Sequence, residues 1–105
     1  MKISDEFRHG SLRISLCGEL DHHGAKGLLT CLEQEIQRSL PLALILDFTG
    51  VTFMDSSGIA LILNAGRKMN SIGGKLRVEN VSQQPMKVVD ASGIERIIDI
   101  REAEK

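Results

Sequence analysis

A chain of 105 residues with 42% apolar side chains holds one domain and one modest core. Thirteen Lys and Arg against fourteen Asp and Glu leave a net charge of −1, and the aromatic residues are three Phe with no Trp or Tyr. Such a composition lacks both the electrostatic footprint of a polyanion binder and the stacking platform of a single-strand or sugar site.

In chain order, Lys2 to Arg8 and Leu12 to Cys17 alternate apolar and polar around His9-Gly10-Ser11, which predicts an antiparallel hairpin whose second strand ends at Gly18. Asp21 to Gly24 reads as a polar loop before a helix from about Ala25 to Ser39, with Leu28, Leu29, Leu32 and Ile36 facing inward. Pro41 closes that helix and opens a strand, Leu42 to Asp47, whose unbroken apolar run Leu42 to Leu46 predicts burial on both faces. Ile59, Ile62, Leu63, Gly66, Met69 and Ile72 then recur at helical spacing after Ser57. Gly73-Gly74 turns the chain into a strand, Lys75 to Glu79; a third helix spans about Gln83 to Ser92 and ends at Gly93; Ile94 to Ile100 supplies the last strand.

Strands alternating with helices after an initial hairpin predict a single α/β domain over residues 1–105. Its sheet is mixed and mostly parallel, with about five strands, three main helices and a short C-terminal end, since only Arg101 to Lys105 follow the last strand. Cys17 and Cys31 read as two small buried hydrophobes, without the spacing of a disulfide framework or metal clip. No N-terminal segment has signal-peptide character and no run reaches membrane-spanning length, so the expected setting is the cytoplasm, with neither membrane nor nucleic acid as a partner.

The segment Phe53-Met54-Asp55-Ser56-Ser57-Gly58 places two hydroxyls where an apolar strand gives way to an apolar-periodic helix. The first N–H groups of a helix have no internal partner and the dipole adds partial positive charge, so a serine-bound phosphate is well received there. On a helical wheel Ser57 shares a face with Ala60, Leu61, Asn64 and Lys68, whereas Ser56 aligns with Ile59, Ala60 and Leu63, nearer the core stripe. That predicts Ser57 as the more accessible hydroxyl, Ser56 as the larger contributor to capping beside Asp55, and Leu61 as part of a small apolar surface patch. If Leu12 to Cys17 runs parallel to Leu42 to Asp47, the loop Gly18 to His23 leaves the same sheet edge, which makes Asp21 and His22 neighbours of Ser57. Asp21 has two readings, a cap for the helix that follows or a contact to a basic group on a partner. Adjacent histidines diverge, so His22 and His23 are expected to line a surface and not to share a metal ion.

The set Gly18-Glu19-Leu20-Asp21-His22-His23, Phe53-Met54-Asp55-Ser56-Ser57-Gly58, Ile72-Gly73-Gly74 and Ala91-Ser92-Gly93-Ile94 resembles the STAS family, in particular its anti-sigma-factor antagonists of the sporulation type. The resemblance covers nearly the whole chain. It implies the STAS fold and a phosphoswitch in place of catalysis: the unphosphorylated protein binds an anti-sigma factor that is also a serine kinase, freeing the sigma factor. Phosphorylation then releases the antagonist, and a serine phosphatase engages it transiently to reset it. In the family the acceptor is the second serine of the Asp-Ser-Ser-Gly motif, here Ser57. The partner-binding residues expected on this basis are Asp21, His22, Asp55, Ser56, Ser57, Gly58, Leu61 and Asn64, with no catalytic residue, cofactor or metal and with a monomeric chain. Other STAS roles share the fold, such as a scaffold, a stress-signalling antagonist or a membrane-complex subunit. A small serine hydrolase using Ser57 or Ser56, with His22 or His23 and an Asp completing a triad, is the rival from another class, but the Gly-x-Ser-x-Gly elbow is absent around both serines.

Overall fold

The computed structural model describes residues 1–104. The chain runs β1 (Lys2–Arg8), β2 (Ser11–Leu20), α1 (His22–Ser39), β3 (Ala43–Met54), α2 (Ser56–Ser71), β4 (Lys75–Val81), α3 (Gln83–Ser92), a 3₁₀ turn at Ile94–Arg96, and β5 (Asp99–Glu102). The sheet follows chain order, β1-β2-β3-β4-β5; β1 pairs antiparallel with β2, and the later neighbours are parallel. The hairpin turns through His9 (φ 53°) and Gly10 (φ 83°), two consecutive left-handed residues whose twist matches that of the flanking strands.

The core explains why the strands alternate. Leu12, Ile14 and Leu16 of β2, Leu44, Leu46 and Phe48 of β3, and Val78 of β4 are buried in one cluster with Leu28, Leu32 and Ile36 of α1 and Ile62, Ala65 and Met69 of α2. The residues between them, such as Arg13, Asp47, Arg77 and Glu79, lie on the opposite face and are only partly covered. The helices therefore pack on one face of the sheet and the other meets solvent. Burial of the Leu42 to Leu46 run on both faces does not hold, because no second helix layer among the described residues covers it: Leu42 is 74% exposed and Ile45 half-buried.

Several boundaries move for identifiable reasons. Gly18 does not end β2; at φ +125° it absorbs a shift in the β2–β3 register, and the strand continues to Leu20. Asp21 to Gly24 is not a loop, since α1 starts at His22 with Asp21 as its N-cap. β3 runs past Asp47 to Met54, paired on one side with β2 as far as Leu20↔Met54. Ile94 to Ile100 is not one strand: Gly93 (φ 73°) leads into the 3₁₀ turn, and β5 begins only at Asp99. Cys17 is exposed and Cys31 half-buried, so neither is the fully buried small hydrophobe expected. No helix of the described residues is long and apolar enough to cross a membrane.

Candidate functional site

The parallel pairing of β2 with β3 builds the site. Leu20 lies opposite Met54, so the chain leaves the sheet at Asp21 and Asp55 side by side, and the Asp55 N–H donates to the Leu20 carbonyl at 3.4 Å. Both aspartates are extended N-caps. Asp21 Oδ1 accepts from the Gly24 N–H at 2.9 Å, and Asp55 Oδ1 accepts from the Ser57 N–H at 2.8 Å. Capping at α2 thus falls to Asp55 and not to Ser56, which occupies the first helical position with its residue exposed.

Two helices that start together lie together, and a cleft of about 240 Å³ opens between α1 and α2 beside Ser57. Ala25, Leu29, Ala60 and Leu61 are its apolar members; His22, Lys26, Ser57 and Asn64 are its polar ones. The structure thereby brings together His22, Ser57, Leu61 and Asn64 in one cleft, with Asp21 and Asp55 at the two helix starts. The expected ranking of the serines is reversed, since Ser57 is half-buried and Ser56 exposed. Leu61 is only 2% exposed and contributes a wall, not a surface patch. Both corrections have one cause: α2 packs against α1 as well as the sheet, so the Ser57–Leu61 face is a second covered stripe. Gly58 is buried, and a Cβ there would lie 2.3 Å from Met54 Cγ, so its part in the site is to let the first turn of α2 approach Met54.

Some contributions leave no local trace in the sequence. Lys26, Ala25 and Leu29 reach the cleft only through the helix pairing. Gln84, at the start of α3, grips the strand end that feeds the motif: its Oε1 accepts from the Met54 N–H at 2.8 Å and its Nε2 donates to the Met54 carbonyl at 3.0 Å. Ser82 Oγ donates to the Val51 carbonyl at 3.1 Å on the same stretch. Phe53, beside the motif, keeps 39% exposure. A larger groove of about 490 Å³ lies at the other end of α2, near Arg67, Asn70, Ile97 and Ile98, and contains none of the partner-binding residues expected from the sequence. Among the described residues no three His, Cys, Asp or Glu side chains are grouped to hold a metal ion.

Residues 2–105 match the STAS domain family. The sequence is 33% identical over 104 residues to the anti-sigma F factor antagonist of Paenibacillus polymyxa, covering 99% of this chain and 89% of that protein. The anti-sigma factor antagonist SpoIIAA in its unphosphorylated form superposes with a TM-score of 0.74 at 24% identity, covering 98% of this chain and 90% of that one. The phosphorylated form of the Bacillus cell fate determinant SpoIIAA gives a TM-score of 0.72 at 28% identity, over 94% and 90% of the two chains. With the family match running through all five strands and three helices, the chain belongs to the STAS domain family.

Proposed function

We propose that this chain is an anti-sigma-factor antagonist that works as a phosphoswitch in the cytoplasm, as a monomer that takes partners in turn. Its unphosphorylated form binds an anti-sigma factor that is also a serine kinase; phosphorylation on Ser57 releases it, and a serine phosphatase restores it. The observation that carries this reading is the position of Ser57, in the first turn of α2 and on the rim of an apolar-walled cleft. A relative with 33% identity named as an anti-sigma F factor antagonist supports the same reading. The docking surface would comprise the cleft and the two capped helix starts, with Asp21, His22, Asp55, Ser56, Ser57 and Asn64 at its rim, Leu61 forming a wall and Gly58 shaping the turn.

Charge explains the switch. A phosphoserine carries about −1.5 to −2 charges at pH 7. A helix N-terminus open to solvent tolerates that charge, but a docked partner would bury it beside Asp55 and Asp21. A loss of about 3 kcal/mol suffices to weaken the complex on the order of a hundredfold. Ser57→Ala is expected to capture the kinase partner and retain it in the presence of ATP, while Ser57→Asp binds at least about tenfold more weakly than the unmodified chain. A pull-down from the native cytoplasm with and without ATP, followed by phosphosite mapping, tests this. Since Ser56 is the more exposed residue, the map decides between neighbours. Undiminished phosphorylation of Ser57→Ala would transfer the acceptor role to Ser56 or elsewhere.

A further inference from the structure

We propose that Lys26, assisted by His22, clamps the phosphate on Ser57 across the cleft, so that the phosphorylated protein closes its own docking site. The inference rests on the reading of Ser57 as the acceptor and names how the released state is held. His22 and Lys26 stand one turn apart on the face of α1 that meets α2, and both line the cleft that Ser57 rims. They are the basic members of that lining. Lys26, like the other described lysines, forms no ion pair among the described residues, so its ammonium is not held by a carboxylate. The acidic groups that face the same end, Asp21 and Asp55, hold their carboxylates on the helix-start N–H groups of Gly24 and Ser57.

A phosphoryl group on the half-buried Ser57 therefore lies at the positive end of the α2 dipole on one side and faces a lysine ammonium on the other. Bridged in this way it fills the cleft between Leu29 and Leu61, where a partner's apolar side chain would otherwise enter. Release then has two causes, the repulsion already described and the occupation of the cleft.

The test uses the full chain with phosphoserine installed at position 57 during synthesis, followed by ³¹P NMR across pH. The second ionisation of the phosphate is expected below its ordinary value of about 6. In Lys26→Gln it should rise by roughly 0.2–0.7 unit, the size of an exposed ion pair. Lys68→Gln, on α2 but outside the cleft lining, should leave it unchanged, and the α2 dipole acts equally in all three proteins. Identical ³¹P titrations for the unsubstituted chain and Lys26→Gln would overturn the clamp, as would an equal shift in Lys68→Gln. Because the phosphate is installed chemically, this result is independent of which serine a kinase selects; failure of that reading shows only in the phosphosite map.

Discussion

Gly58 shows how a single missing methyl group sets the motif. The first turn of α2 sits so close to β3 that a Cβ at Gly58 would fall 2.3 Å from Met54 Cγ, 2.6 Å from Met54 Sδ and 3.2 Å from Leu20 Cδ2. Met54 and Leu20 are wholly buried and have nowhere to retreat. Helix propensity favours alanine over glycine by about 1 kcal/mol, while overpacking a filled core costs about 1–3 kcal/mol. Gly58→Ala is therefore expected to lower unfolding stability by up to about 2 kcal/mol. Gly27 is the internal control: it lies inside α1 with nothing within 4 Å of the place a methyl group would occupy, so Gly27→Ala should be neutral or stabilising by up to about 1 kcal/mol. Urea unfolding of the two variants checks both signs, and equal effects would show that packing at Gly58 is not limiting. The motif itself was legible in the sequence, but the division of labour within it was not. A helical wheel with one buried stripe exposes Ser57 and Leu61, and only the packing of α1 covers that second face.

The reach of β3 beyond β4 decides how firmly the motif is held. β4 pairs with β3 only from Ala43↔Lys75 to Asp47↔Glu79, leaving the stretch to Met54 without a strand on that side. Gln84 and Ser82 take over, meeting the backbone at Met54 and Val51. Removing the Gln84 amide strands a part-buried N–H and C=O together, a cost of about 1–3 kcal/mol for unsatisfied groups. Gln84→Ala should accordingly destabilise the fold within that range and speed amide hydrogen exchange at Met54 relative to Leu46 in the centre of the sheet. A uniform change at both amides would mean that the grip is not local. Periodicity in the sequence located all five strands and three helices, because apolar spacing records which face a residue turns to the core. It placed the end of β3 seven residues early and made β5 start five residues early, comparing Asp47 with Met54 and Ile94 with Asp99. Those limits depend on Gln84, on the β2 register and on the left-handed Gly93, which act across the chain or through a single backbone angle.

Across the whole molecule, the uncovered face of the sheet carries a charged ladder where a second helix layer would otherwise stand. Arg13 on β2 donates to Asp47 Oδ2 on β3 and to Glu79 Oε1 on β4, each at 2.9 Å. Arg77 joins Glu79 to Asp99 of β5 at 3.3 and 3.2 Å, and Arg101 reaches Asp99 at 3.3 Å. Burial alone would raise the Asp47 carboxyl, but hydrogen bonds from the Thr49 hydroxyl, the Asn80 amide, the Thr49 N–H and Arg13 outweigh it and hold it well below the usual carboxylate range. The Arg13 hydrogen bond, against partial burial and with help from Arg77, likewise lowers Glu79; Arg101 and Arg77 lower the more exposed Asp99. A carboxylate depressed in the folded state stabilises the protein above its unfolded pKa, near 4, and that contribution is lost as pH falls from there toward the folded value. Stability should therefore be flat from neutral pH to about 5 and then decline steadily toward pH 2. Asp47→Asn removes the most strongly depressed carboxyl while keeping the side chain's shape, so it should be less stable than the unsubstituted chain at pH 7 and show a shallower acid decline. Urea midpoints at pH 7, 5 and 3 distinguish this from a ladder without consequence, for which the two proteins would run parallel. The ladder lies on the face of the sheet opposite the α1–α2 cleft, so these changes should leave partner capture at pH 7 intact wherever the fold persists.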